Sequence, residues 1–130
     1  MPDGGSRHRL LVVDDEPLNR ELLRRVLARE YDIAEAEDGR AALQILEAEG
    51  EAIRLVLCDQ LMPEMSGTEL ANVSRSRWPG VIFVLLTGYD DDPEVAAALA
   101  GGMVAHVVAK PWRGAALRAL IEEAIQRATG

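Results

Sequence analysis

The 130-residue chain has one cysteine, one lysine and few aromatics: two Trp, two Tyr and one Phe, 4% in all. Cys58 alone cannot form an internal disulfide, and with only His8 and His106 beside it there is no Cys/His set of the kind that holds zinc. Its place inside an apolar run makes Cys58 a small core residue. A core with so few rings must be aliphatic, and at 48% hydrophobic content the chain has enough such residues to bury one. No apolar run approaches the ~20 residues that cross a bilayer. The first residues, Met1 to Arg9, are polar and carry no signal-peptide core, so a cytoplasmic location is expected. Positive charge is also scarce. Lys and Arg number 14 against 22 Asp and Glu, a net charge of −8. That balance argues against a nucleic-acid surface, which needs a basic patch or stripe. Against an arginine-rich background, Lys110 is the single lysine, a compact and mobile point charge.

Four short apolar runs are present, and each ends in chemistry. Leu10 to Val13 ends in Asp14-Asp15. Ile53 to Cys58, broken only by Arg54, ends in Asp59. Val81 to Leu86 ends in Thr87-Gly88, and Val107 to Ala109 ends in Lys110-Pro111. Runs of this length suit strands of a parallel sheet buried on both faces, and ligands bind at the carboxyl ends of such strands. Three carboxylates, a hydroxyl and an ammonium are therefore expected to converge on one edge.

Between the runs lie helical patterns. Pro17 opens a helix with an apolar stripe of Leu22, Leu23, Val26 and Leu27, running to about Arg29. A weaker strand covers Tyr31 to Ala36, and Asp38-Gly39 starts a helix to about Glu49 with Ala42, Leu43 and Leu46 inward. Ser66 and Glu69 form a capping-box pattern before a helix that Trp78-Pro79-Gly80 stops. Asp92-Pro93 caps a short alanine-rich helix ending near Gly101-Gly102, a fifth strand covers about Ala105 to Val108, and a last helix runs from about Arg113 to Ala128. The expected architecture is α/β: right-handed crossovers give a doubly wound (βα)5 three-layer sandwich around a parallel five-stranded sheet, and the flavodoxin-like order 2-1-3-4-5 is the common solution at this size. Residues 1–8 read as a short flexible tail and 9–130 as one domain. In that order Asp14-Asp15 and Asp59 face each other across the switch point.

Clustered carboxylates repel unless a cation intervenes, and oxygen-only ligands favour Mg2+. A carboxylate beside Mg2+ can attack phosphorus to give an aspartyl phosphate, with the metal and an ammonium balancing charge on the phosphoryl oxygens.

The chain resembles the receiver domains of two-component response regulators, similar to the chemotaxis regulator fold, from about His8 to Ala128. The resemblance is carried by Val13-Asp14-Asp15-Glu16, by the run Asp59-Gln60-Leu61-Met62-Pro63-Glu64-Met65-Ser66-Gly67, by Leu86-Thr87-Gly88-Tyr89 and by Lys110-Pro111-Trp112. It implies that Asp59 is the phosphoacceptor, charged by a histidine kinase or histidine phosphotransfer protein. Asp15, Asp59 and the Leu61 backbone carbonyl would bind Mg2+, with Asp14 acting through a water. Thr87 and Lys110 would hold phosphoryl oxygens, Gly88 would leave room for them, and the Lys110–Pro111 bond would be cis. Output would pass through the fourth helix, fifth strand and fifth helix to an output domain or a second copy. No enzyme activity beyond self-phosphorylation and slow autodephosphorylation is implied, and neither nucleic acid nor membrane is expected as a partner of this domain. Leu61 and Tyr89, bulky and flanking the phosphoryl pocket, imply a long-lived phosphoryl group.

One position departs from the family pattern. Val107 stands where the family usually has Tyr or Phe, so the usual threonine–aromatic switch is altered. Other readings fit less well. An aspartyl phosphatase needs an Asp-x-Asp pair on the first strand, and a flavin-type phosphate loop would be rich in Gly, Ser and Thr rather than acid. A pseudo-receiver acting by protein contact alone would not need the intact five-residue set. Taken singly, Asp14-Asp15 could also be a helix N-cap.

Overall fold

A computed structural model describes residues 7–88 and 92–129 of the chain. Strands and helices alternate: β1 (Arg9–Val13), α1 (Pro17–Leu27), β2 (Asp32–Ala36), α2 (Gly39–Glu49), β3 (Ile53–Asp59), α3 (Gly67–Arg77), β4 (Ile82–Thr87), α4 (Pro93–Ala100), β5 (His106–Ala109) and α5 (Gly114–Thr129). All pairings are parallel, in the order β2-β1-β3-β4-β5. The expected flavodoxin-like sheet is thus the observed one.

Burial on both faces explains the near-continuous apolar strands. Leu11, Val13, Val56, Cys58 and Leu85 pack with Ala42 and Leu46 of α2, Leu70 of α3 and Val95 and Ala98 of α4. Leu10, Val12, Leu55, Leu57, Val84 and Leu86 pack on the other side with Leu23 and Leu27 of α1 and Leu117, Ile121, Ala124 and Ile125 of α5. Adjacent strand residues point to opposite faces, so each strand supplies both layers. Cys58 is fully buried in the first of these clusters, and burial beside Asp59 and Asp14 pushes its thiol above the ordinary range.

Boundaries differ from the periodicity in places. α1 ends at Leu27, β2 begins at Asp32, and β5 lies one residue further along than expected, at His106–Ala109. The α1 stripe is narrower than expected: Leu23 and Leu27 are buried, while Leu22 is exposed, as is Leu18. Helix starts follow the sequence signals. Ser66 and Glu69 form the reciprocal capping box on α3, Asp38 accepts from Ala41 N at the start of α2, and Asp92 accepts from Glu94 N at the start of α4. Of the tail assigned to residues 1–8, residues 1–6 lie outside the described residues. Arg7 is tied down, its guanidinium donating to the Ala28 and Tyr31 carbonyl oxygens. No helix among the described residues is long and apolar enough to cross a membrane.

Candidate functional site

Strand register brings the predicted residues together. Val13 pairs with Cys58, so Asp14 and Asp59, each the next residue, lie side by side across the switch point. Asp59 pairs with Leu86 and Thr87 with Ala109, which places Thr87 next to the start of the Lys110 segment. The backbone N–H of Lys110 donates to the Thr87 carbonyl at 2.9 Å, and the Lys110–Pro111 bond is cis as the resemblance implies. Asp14, Asp59 and Thr87 are buried, and Asp15 is exposed.

The carboxylates of Asp14, Asp15 and Asp59 offer one oxygen each within 4.8 Å of one another. Lys110 Nζ lies 2.7 Å from Asp59 Oδ1, an ammonium on the buried carboxylate. Neither Asp14 nor Asp15 caps α1; Glu16 holds the N-cap position and makes no side-chain cap bond. Asp14 Oδ1 instead accepts from Glu16 N at 2.9 Å, while Oδ2 is buried and has no partner among the described residues. An orphaned, buried carboxylate oxygen facing two further carboxylates is the donor set a hard cation requires, so the residues fit Mg2+.

Desolvation, with the nearby Asp59 and Asp15 charges adding to it, holds the Asp14 carboxyl above its ordinary value; the Glu16 N–H and Lys110 act the other way. A raised carboxyl means that the folded state holds its proton more tightly than the unfolded chain does. Without metal, the Asp14 contribution to stability is therefore fullest below the ordinary value of 3.8 and is lost as pH rises through the raised one. Asp14→Asn should raise the metal-free thermal midpoint at neutral pH by roughly 3–5 °C, about 1 kcal/mol at this chain length. Added Mg2+ should stabilise the wild type and not the variant. Thermal scans with and without Mg2+ check both; a metal-free variant less stable than wild type would contradict this origin of the shift.

The loop after β3 is fastened by Gln60, which the sequence reading quoted within a motif but gave no role. Gln60 is 1% exposed. Its carbonyl accepts from Gly67 N at 3.0 Å, its Oε1 accepts from Thr68 N at 2.9 Å, and its own N–H donates to Leu86 O. Gln60 thus satisfies two of the first N–H groups of α3 while Ser66 Oγ takes that of Glu69. Gln60 Nε2 donates to Thr68 Oγ1 at 3.2 Å and lies 3.5 Å from Asp92 Oδ2, and Thr68 Oγ1 lies 3.4 Å from Glu94 Oε1. The residue after Asp59 therefore ties β3 to α3 and to the start of α4. Gly67 is required here: a Cβ would lie 2.8 Å from the Asp59 carbonyl oxygen and 2.7 Å from Leu85 Cδ2.

The remaining predicted positions are placed less tightly. Leu61 is 55% exposed in the loop after β3. Among the described residues, a Cβ on Gly88 would meet nothing within 4 Å. Val107 is half-buried in β5 opposite Leu85. Tyr89 lies outside the described residues.

A model of the response regulator receiver domain matches residues 10–122. The chain belongs to the response regulator receiver family. Among curated relatives, this receiver is 33% identical over 117 residues to the hydrogenase transcriptional regulatory protein HoxA of Bradyrhizobium diazoefficiens, covering 90% of the chain and 24% of that protein. It is 30% identical over 126 residues to a chemotaxis protein CheY homolog of Campylobacter jejuni, covering 94% of the chain and 95% of that protein. The receiver thus spans about a quarter of HoxA and nearly all of the CheY homolog. Among solved structures, a CheY-like receiver domain protein from Methanospirillum hungatei superposes with a TM-score of 0.88 at 27% identity, covering 95% of this chain and 98% of that one. The response regulator TrrA of Thermotoga maritima, in complex with Mg2+-BeF, matches at a TM-score of 0.78 and 33% identity, covering 89% of this chain and 97% of that one. Receiver domains are typically switch modules rather than enzymes.

Proposed function

We propose that this receiver accepts a phosphoryl group on Asp59 in a Mg2+-dependent transfer from the phosphohistidine of a histidine kinase or histidine phosphotransfer protein. The observation that carries this reading is the buried Asp59 carboxylate held between the Asp14–Asp15 pair and the Lys110 ammonium. In the transfer, an Asp59 carboxylate oxygen attacks phosphorus, the phosphorus–nitrogen bond breaks, and the imidazole leaves with the electron pair. Lys110, now on Asp59 Oδ1, would take a phosphoryl oxygen, and the Thr87 hydroxyl a second. Gly88, where a Cβ would meet nothing within 4 Å among the described residues, leaves space for the group. Asp14, Asp15, Asp59 and the Leu61 carbonyl would hold Mg2+, which when bound offsets the negative charge gathered at the phosphoryl group.

Transmission would run from Thr87 and the Gln60 network to α4, β5 and α5, and from that face to an output domain or a second copy of the chain. Val107 has no ring to turn inward, so the readout through β5 rests on backbone shifts of Thr87 and Lys110, which are bonded to each other. The site is proposed to work in the cytoplasm. The pseudo-receiver alternative is not favoured, because the acidic cluster and the Lys110 pair are both in place.

Incubation with Mg2+ and acetyl phosphate, followed by intact-mass measurement, tests the proposal. One added phosphoryl group that fails to form when Mg2+ is chelated beforehand supports it, and an unchanged mass with Mg2+ present contradicts it. Leu61 bears on lifetime. Its apolar branched side chain cannot hold a water beside the phosphoryl group, so Leu61→Asn should shorten the phosphoryl half-life several-fold, read by the decay of that added mass. An unchanged half-life would rule Leu61 out.

A further inference from the structure

The three carboxylates of the acidic cluster are held in unequal ways. Asp59 carries the Lys110 ammonium, and Asp14 Oδ1 takes the Glu16 N–H. The Asp15 carboxylate is exposed and makes no hydrogen bond or ion pair among the described residues. Its direction is therefore set by its backbone. A peptide unit is planar, so the backbone turns only about the two bonds at the Asp15 Cα. Both peptide planes that flank this Cα are pinned. The plane after Asp15 is held by the Glu16 N–H on Asp14 Oδ1. The plane before it is held through the Asp14 carbonyl, which accepts from Arg20 Nη1 at 2.6 Å.

Arg20 is steered to that carbonyl by β2. Ile33 and Glu35 are two residues apart on the strand and share a face, and Ile33 packs with Leu23 and Leu27 of α1. Glu35 thus lies on the α1 side of the sheet. Arg20 and Arg24, four residues apart on α1, both pair with it: Arg20 Nε lies 3.5 Å from Oε1 and Arg24 Nε 3.2 Å from Oε2. The Arg20 side chain is only 19% exposed. A guanidinium offers several donors in a rigid fork, so one nitrogen can stay on Glu35 while another meets the carbonyl. Charge alone does not explain the arrangement, because a cation near three carboxylates opposes Mg2+ by Coulomb repulsion.

We infer that Arg20 is a positioning residue for the metal site: by holding the Asp14–Asp15 peptide it aims the Asp15 carboxylate at the cation. The inference rests on the proposed Mg2+ role of the acidic cluster. Removing a group that orients a metal ligand without touching the metal typically weakens binding by about 10–100-fold. The sign separates this role from electrostatics. Loss of a nearby positive charge should tighten Mg2+ binding, whereas release of the Asp14–Asp15 peptide should weaken it.

Calorimetric titration of Mg2+ into the folded, unphosphorylated protein at constant ionic strength tests this. Arg20→Met keeps an apolar stem and removes every donor, and it should raise the Mg2+ dissociation constant at least about tenfold. Arg20→Lys still offers a donor to the Asp14 carbonyl and should recover part or all of that loss. Asp15→Asn, the control, should weaken binding at least as much as Arg20→Met. Leu23 and Leu27 anchor α1 in the core, so Arg20→Met should fold; Arg20→Leu, equally without a donor, takes its place otherwise. An affinity in the donor-free variant equal to wild type or tighter, even with a lowered urea midpoint, would reduce Arg20 to a brace between α1 and β2 and overturn the inference. So would an Arg20→Lys that recovers nothing. No Mg2+ binding by the wild type, or none lost in Asp15→Asn, would instead overturn the metal reading, and the inference with it.

Discussion

Replacing Lys110 with Ala should slow phosphoryl uptake from acetyl phosphate by about 10²–10³-fold at saturating Mg2+, the scale of losing one charge-stabilising donor. The contact removed is the 2.7 Å pair between Nζ and Asp59 Oδ1. With no other lysine in the chain and no arginine paired to Asp59 among the described residues, nothing nearby takes over. The variant should still fold. Lys110 holds its place through its backbone N–H on the Thr87 carbonyl, which alanine keeps. Lys110→Arg should not restore the rate, because a planar fork cannot occupy the place of a compact ammonium. Rates from the time course of the added mass check this; an Ala variant within threefold of wild type would show that the ammonium is not needed.

Gln60→Ala should destabilise the fold by about 2–4 kcal/mol, the sum of several lost bonds and a stranded donor. The donor is Thr68 N, near the start of α3, which Gln60 Oε1 satisfies at 2.9 Å in a buried setting. The Gln60 side chain also bonds Thr68 Oγ1 and reaches the α4 cap. Urea unfolding should show a lowered midpoint with an unchanged slope, since the same surface is exposed on unfolding. A loss below about 0.5 kcal/mol would mean that water replaces the amide without cost.

The fold and most of the site were legible in the sequence for a shared physical reason. A strand buried on both faces must be apolar until it reaches solvent, so its last apolar residue marks the sheet edge and the next residue faces the site. That logic locates Asp14, Asp59, Thr87 and Lys110 without any knowledge of contacts. It weakens for β5, a half-buried edge strand where Ala105 and Ala109 carry little signal for its ends. Periodicity also overstated α1. Leu22 lies on the apolar stripe, yet it is exposed, while Leu23 and Leu27, one turn apart, are buried with Val26 packed beside them. Gln60 was illegible for another reason. Its role depends on burial, and burial of a polar side chain leaves no periodic trace. For Gln60 the available signal was a polar residue directly between the β3 acid and a capping box.

The central claim is that Asp59, among three neighbouring carboxylates, is the one that takes the phosphoryl group. Phosphorylating the protein with acetyl phosphate and Mg2+, then mapping the modified residue by peptide mass spectrometry beside Asp59→Ala, tests it most directly. The account predicts one phosphoryl group on the peptide holding Asp59 and none on the variant. A group found on Asp14 or Asp15, or one that persists in Asp59→Ala, would contradict it.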